Sequence, residues 1–398
     1  MNREQVETNL PILPPPKEKV TFFQWLKDNL FSSWYNTLFT IALSILLFSI
    51  IKGTLTWIFI DADWSIVTSN FKILMSGQYP AVQLWRVWLC IVLLASLLGF
   101  SSGIWNGTIT HLSIFLGSLL FISGILPFVS LETRIWTFIG LAILIVGHFI
   151  GKKIPIKKTI LIGWFLLFPI AIFFINGFGV LPKVGTNLWG GFLLTILLAT
   201  VAIVCSFPIG VLLALGRRSK LPTIKYFCIF YIEFIRGIPL ITILFVSSIM
   251  LPLFLGQGVE LNNILRAMIG LTLFNAAYLA ENVRGGLQAI PRGQYEASHA
   301  LGLSSPLMTC FIILPQALRS VIPAMVGQFI AIFKDTTLVT IIGIIDILGM
   351  AKNVAQNPQF LGQQMEVFLF VAVVFFLFCY ALSYTSRRIE KSLGVGER

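Results

Sequence analysis

Residues 188–215, LWGGFLLTILLATVAIVCSFPIGVLLAL, form a run of 28 without one Asp, Glu, Lys or Arg. About 20 largely apolar residues, at roughly 1.5 Å each in an α-helix, cross the hydrocarbon of a bilayer. Lipid offers no water to bare N–H and C=O groups, so such a run is stable there only when its backbone pairs within itself. The rest of the chain is alike. Of 398 residues, 57% are hydrophobic and 11% charged, with a mean hydropathy of +0.90. A water-soluble fold of this length needs far more charge to cover its surface. The composition therefore predicts an all-α, polytopic membrane protein.

The same ruler marks ten spans along the chain, at 35–60, 84–100, 112–129, 135–150, 159–175, 188–215, 226–253, 264–283, 321–345 and 367–384. Lys52 interrupts the first. Lys and Arg collect on cytoplasmic loops and set topology. With the N-terminus inside, nineteen of them fall on inner segments, in clusters such as Lys152/Lys153/Lys157/Lys158, Arg217/Arg218/Lys220/Lys225 and Arg387/Arg388/Lys391/Arg398. Six fall outside: Lys72, Arg86, Arg134, Lys183, Arg266 and Lys352. Both termini are thus expected in the cytoplasm. The net charge of +12 follows from this bias and calls for no nucleic acid. The start of the chain, MNREQVETNLPILPPPKEK, has no cleavable signal pattern and reads as part of a cytoplasmic tail over 1–34. A second tail is expected over 391–398.

Cys90, Cys205, Cys228, Cys310 and Cys379 contain no CxxC pair, and none falls in an expected external loop. Disulfides and a zinc site are not expected. His111, His148 and His299 are scattered, so no metal cluster is expected either. Gly151-Lys152 lacks the earlier glycine of a phosphate-binding loop and has Lys153 where Ser or Thr belongs. ATP, if used, binds another chain.

One polar insert stands out, EASHALGLSSPLMTCFIILP at 296–315. Residues 294–301 read as a short helix. Gly302 sits where a helix end wants φ > 0, and Leu303 can supply the apolar contact of such a cap. Ser304 and Ser305 offer N-cap oxygens, Pro306 suits the first helical position, and Pro315 is expected to interrupt the second helix. The spacing Glu296-Ala297-Ser298, Gly302, Ile312-x-Leu314-Pro315 resembles the cytoplasmic loop of bacterial ABC import permeases. Ser298 departs from the usual Ala.

The resemblance extends to YIEFIRGIPL at 231–240, to FNAAYLAENVRGGLQAIPRGQYEA at 274–297 and to FKDTTLVTIIGIIDILG at 333–349. Residues 185–390 resemble the five-helix permease core of the polar amino-acid importers, the branch for histidine, glutamate, glutamine, arginine and opines. Residues 35–184 look like the long extension of the general L-amino-acid permeases. The resemblance implies import of L-amino acids across a bacterial inner membrane by alternating access. It implies ATPase subunits that dock on the loop at 288–320 and bind ATP and Mg, with no cofactor in this chain. It also implies a second permease subunit, identical or homologous, and a periplasmic amino-acid-binding protein.

Polar groups at membrane depth are costly unless paired or facing a cavity, and so mark function. Lys334 and Asp335, with Thr336 and Thr337, lie in the ninth span. A Lys and an Asp near one cavity would complement the carboxylate and ammonium of a free amino acid. The other reading is a structural ion pair. Asn275, in the eighth span, either contacts substrate or bonds between helices. Glu281 and Arg284 are spaced for a local pair. Glu233 and Arg236 precede Gly237 and Pro239, where a break is expected with a structural or gating role. Two rivals to an ATP-driven importer stand beside it. One is an ion-coupled secondary amino-acid transporter using Lys334 and Asp335. The other is a membrane-embedded enzyme, which no nucleophile–base constellation favours.

Overall fold

The computed structural model describes residues 21–154, 156–254 and 261–394. The expected N-terminal tail before residue 21 and the last four residues of the C-terminal tail lie outside them. The chain forms two compact units, divided between Ala62 and Asp63. The first holds α1 (Phe22–Leu30) and α2 (Trp34–Thr56), which a π-helical turn extends to Asp61. Ser33 caps α2 by accepting from the Asn36 N–H. No residue of α2 is buried, and it is apolar all round, as a helix covered by lipid must be.

The second unit begins with α3 (Ser65–Ser76), α4 (Leu84–Trp105), α5 (Thr108–Ile125), α6 (Leu131–Lys153) and α7 (Lys157–Asn176). Then come α8 (Gly191–Arg217), α9 (Pro222–Arg236), α10 (Leu240–Phe245), α11 (Leu251–Phe254) and α12 (Asn263–Ala289). The chain ends in α13 (Arg292–Ala300), α14 (Ser305–Met308), α15 (Leu314–Asp335), α16 (Ile347–Ala355) and α17 (Gln364–Leu393). Among the described residues nine helical runs are long and apolar enough to cross a membrane, or ten if one bent pair is a span.

The seventh span bends at the expected break: Pro222–Arg236 and Leu240–Phe254 meet at 107°, because Gly237 and Pro239 end the first helix and start the second. Two expectations change. The ninth begins far earlier, within a run from Ser305 to Ile342. Pro315 does not interrupt it. A π-helical turn at Thr309–Ile313 takes up the missing N–H, and the Leu314 N–H bonds the Thr309 carbonyl. Helices before and after residue 185 pack together. Leu74 of α3 shares a core with Ile347, Met350 and Val367, and the Gly191 N–H bonds the Ile345 carbonyl at 3.2 Å.

Small residues set the closest approaches. Gly99 and Gly103 on α4 face Gly147 and Gly151 on α6, two Gly-x-x-x-Gly pairs. A Cβ at either α4 glycine would strike the carbonyl of Leu144 or His148. Arg86 at the start of α4 is fully buried and donates to the Pro182 carbonyl at 2.9 Å. In the C-terminal half α12 is central, with fifteen of its 27 residues buried. A Cβ on Gly210 of α8 would lie 2.8 Å from Leu279 Cβ and 3.0 Å from the Ala276 carbonyl oxygen. Gly286 meets the Ala317 carbonyl of α15 as tightly. At the far end of α8, Thr195 Oγ1 accepts from the Ile347 N–H at 3.2 Å. Asp346 caps α16 through the Gly349 N–H and takes a hydrogen bond from Thr340, both at 2.9 Å. Burial pushes its carboxyl up against those hydrogen bonds.

Gly210→Val should force α8 and α12 apart, at about 1–3 kcal/mol of overpacking strain. A lower membrane yield and a lower apparent Tm in detergent are expected. Wild-type values of both would contradict this account of the helix contact.

Candidate functional site

The polar insert folds as a helical hairpin. α13 ends in a Schellman turn: the Gly302 N–H bonds the His299 carbonyl at 2.9 Å, and the Leu303 N–H bonds the Ser298 carbonyl at 3.2 Å. Gly302 has φ +74°, which a branched side chain resists. Leu303 tucks against the core formed by the ends of α8, α9 and α12 with Met308, Ile313 and Ala317. Ser304 occupies the N-cap of α14 but makes no side-chain cap bond, and Pro306 falls second in the helix. Ser298 is buried and donates to the Gln294 carbonyl at 2.6 Å, so its hydroxyl is satisfied where an Ala would do. Leu314 and Ile312 pack on the same core. Glu296, Ala297 and Pro315 are exposed, as are Leu301 and Phe311, at 76% and 74%.

Three contacts hold α13 from outside. Tyr295 Oη donates to the Leu287 carbonyl of α12 at 3.5 Å. Gln316 of α15 donates to Gln294 at 3.2 Å. Arg218, just past α8, donates to Tyr295 Oη at 2.9 Å and to the Leu287 carbonyl at 3.3 Å. Its guanidinium also lies 5.5 Å from the centre of the Tyr295 ring.

Next to the hairpin, five charges tie α8, α9 and α12 together. Arg217 bonds Glu233 at 2.9 Å and Glu281 at 3.5 Å; Arg236 reaches Glu281 at 3.7 Å; Arg284 pairs with Glu281 on its own helix. The Glu281–Arg284 pair has the expected spacing, but Glu281 also gathers two arginines from other helices. Glu233 pairs with Arg217 rather than Arg236, whose guanidinium lies 5.6 Å from the Tyr278 ring centre. Such part-exposed pairs are worth about 0–1 kcal/mol each. The cluster therefore fixes the register of three helices more than it stabilises the fold.

Asn275 is fully buried. Its amide donates to the Leu271 carbonyl and its oxygen accepts from Gln328 of α15, both at 2.8 Å. It thus bridges α12 and α15. Lys334 is exposed and Asp335 half-buried at the end of α15; among the described residues no ion pair includes either. Thr336 and Thr337 each bond the carbonyl three residues back.

Sequence reasoning missed Arg217, Arg218, Tyr295 and Gln328 as site residues. The two arginines served only as topology markers, although neighbours on a helix turn about 100° apart and so reach different partners.

Residues 206–395 match the family described as binding-protein-dependent transport system inner membrane component. The chain is 35% identical to the inner membrane amino-acid ABC transporter permease protein YhdY of Escherichia coli K12, over 94% of this chain and 93% of that one. It is 34% identical to the glutamate/glutamine/aspartate/asparagine transport system permease protein BztC of Rhodobacter capsulatus, over 96% and 95%. The alignments thus include the N-terminal helices. A crystal structure of an amino acid ABC transporter with histidines overlaps 51% of this chain and 92% of its own, at 28% identity and a TM-score of 0.46. The chain therefore belongs to the inner-membrane components of binding-protein-dependent transport systems: it is a multi-pass permease subunit, partnered by a second permease and by separate ATPase subunits that hydrolyse the ATP.

Proposed function

We propose that this permease imports L-amino acids into the cytoplasm, with both termini on the cytoplasmic side. The observation that carries the reading is the α13–α14 hairpin. Along it Glu296, Leu301 and Phe311 are exposed, while Leu303 and Met308 pack on the core behind. An acidic group among exposed apolar side chains suits a groove on a partner, here the ATPase that binds ATP and Mg. A periplasmic binding protein delivers substrate at the opposite end. ATP-driven movement of the hairpin rocks the spans between outward and inward access.

The names of relatives support an amino-acid substrate, acidic and amide side chains among them. Lys334 and Asp335 offer one group of each sign to the backbone charges that all amino acids share. Asn275 acts on the path through Gln328, keeping α12 and α15 in register. The secondary-transporter reading gains no support from the relatives, whose names are those of transport-system permease proteins.

Uptake of radiolabelled L-glutamate and L-glutamine, with protein levels checked by blotting, tests these roles. Glu296→Lys reverses a charged contact of about 1.5–3 kcal/mol, so uptake should fall tenfold or more while the chain still folds. Gly302→Val should do the same by straining the turn. Lys334→Ala and Asp335→Ala should assemble with the ATPase yet import poorly. Normal uptake by the first two variants would sink the docking hairpin, and by the last two would move the substrate path elsewhere.

Orientation has its own check, in a background with the five native cysteines replaced. Val82→Cys should react with an impermeant maleimide from outside, and Ser305→Cys only after permeabilisation. Labelling of Ser305→Cys in intact cells would reverse the topology.

A further inference from the structure

The tandem Arg217–Arg218 closes α8 and points two ways. Arg217 belongs to the charge cluster with Glu233 and Glu281. Arg218 enters none of the four ion pairs among the described residues. Its partners are a carbonyl at the end of α12 and the hydroxyl and ring of Tyr295 on α13. Tyr295 immediately precedes Glu296, and Tyr295 is itself partly packed on the core beneath. The link from α12 to α13 is short, Ile290 and Pro291, and Pro291 has no N–H to give. Pro291 fixes its own φ, and the contacts of Tyr295 and Gln294 then hold α13 at the angle that the link allows.

We propose that Arg218 is a positioning residue for the hairpin. Anchored at the end of α8, its guanidinium holds Tyr295 and so fixes where α13 presents Glu296 to the ATPase. Adjacent Arg217 ties the same helix end to α9 and α12. A push on α13 therefore reaches three core helices through one helix terminus. The proposal rests on the reading of residues 296–315 as the ATPase-docking loop. A planar guanidinium suits this post because it can lie against the ring and donate two hydrogen bonds at once.

The test uses the intact complex, purified through a tag on this chain with its ATPase, and reads amide hydrogen exchange and ATP hydrolysis together. Arg218→Gln should speed exchange over residues 292–303 roughly tenfold, the loss of one to two hydrogen bonds. Exchange in the middle of α8 and α12 should stay unchanged, and ATP hydrolysis should fall. Arg218→Lys keeps a cation over the ring and one donor, and should recover most of both. Tyr295→Phe keeps the ring and should lie between. Wild-type exchange and hydrolysis in Arg218→Gln would overturn the proposal. So would faster exchange spread evenly over α8 and α12, the mark of a merely structural side chain. If Glu296→Lys abolishes hydrolysis while Arg218→Gln is silent, positioning fails and the docking loop stands. If Arg218→Gln loosens α13 while Glu296→Lys hydrolyses ATP normally, the contact stands and the docking reading fails.

Discussion

The close approach of α12 to α8 and α15 is the constraint on which the rest depends. Lipid tails are as apolar as leucine, so helices in a bilayer gain little by hiding apolar area and must associate through packing and interhelical hydrogen bonds. Gly210 against Ala276 and Leu279, and Gly286 against Ala317, let the backbones meet. Asn275 and Gln328 then bond across the α12–α15 seam. With these three helices fixed, α8 becomes a strut about 40 Å long. One end carries Arg217 and Arg218 beside the hairpin. The other, at Gly191 and Thr195, is bonded to the segment around Ile345 and Ile347. The hairpin is thus joined to the opposite end of the unit by one continuous helix, which has Pro208 in its interior.

Much of this was legible in the sequence. Length and charge marked out the spans, and the Gly302 turn was readable because a helix end, a glycine and an apolar residue in that order have one good solution. The break at Gly237 and Pro239 was readable for the same reason, although not its angle. What stayed hidden were features that depend on partners distant in sequence. Helices α3 and α16, of twelve and nine residues, are too short for a spanning ruler, and only their shared core reveals them. The glycine pairs of α4 and α6 gain meaning once the helices are known to face each other. Glu281 shows its local partner by spacing, while Arg217 and Arg236 reach it from other helices. Pro315 misled because a π-helical turn can absorb a proline that an α-helix cannot.

The hairpin, the charge cluster and the α12–α15 seam form one continuous structure, from exposed Glu296 to Lys334 and Asp335. The charge cluster is weak in energy and specific in geometry. Away from this path, α4 and α6 lock together through their own glycines, and α3 joins the unit at the end away from the hairpin.

The central claim is that this permease is driven by a separate ATPase seated on the hairpin. Its most direct test is affinity purification in mild detergent through a tag on this chain, with mass spectrometry of the co-purified chains and uptake measured in the reconstituted sample. The account predicts an ATPase with a phosphate-binding loop and a second permease chain in fixed ratio, and uptake that requires ATP. Recovery of this chain alone, with uptake driven by an ion gradient and indifferent to ATP, would contradict it.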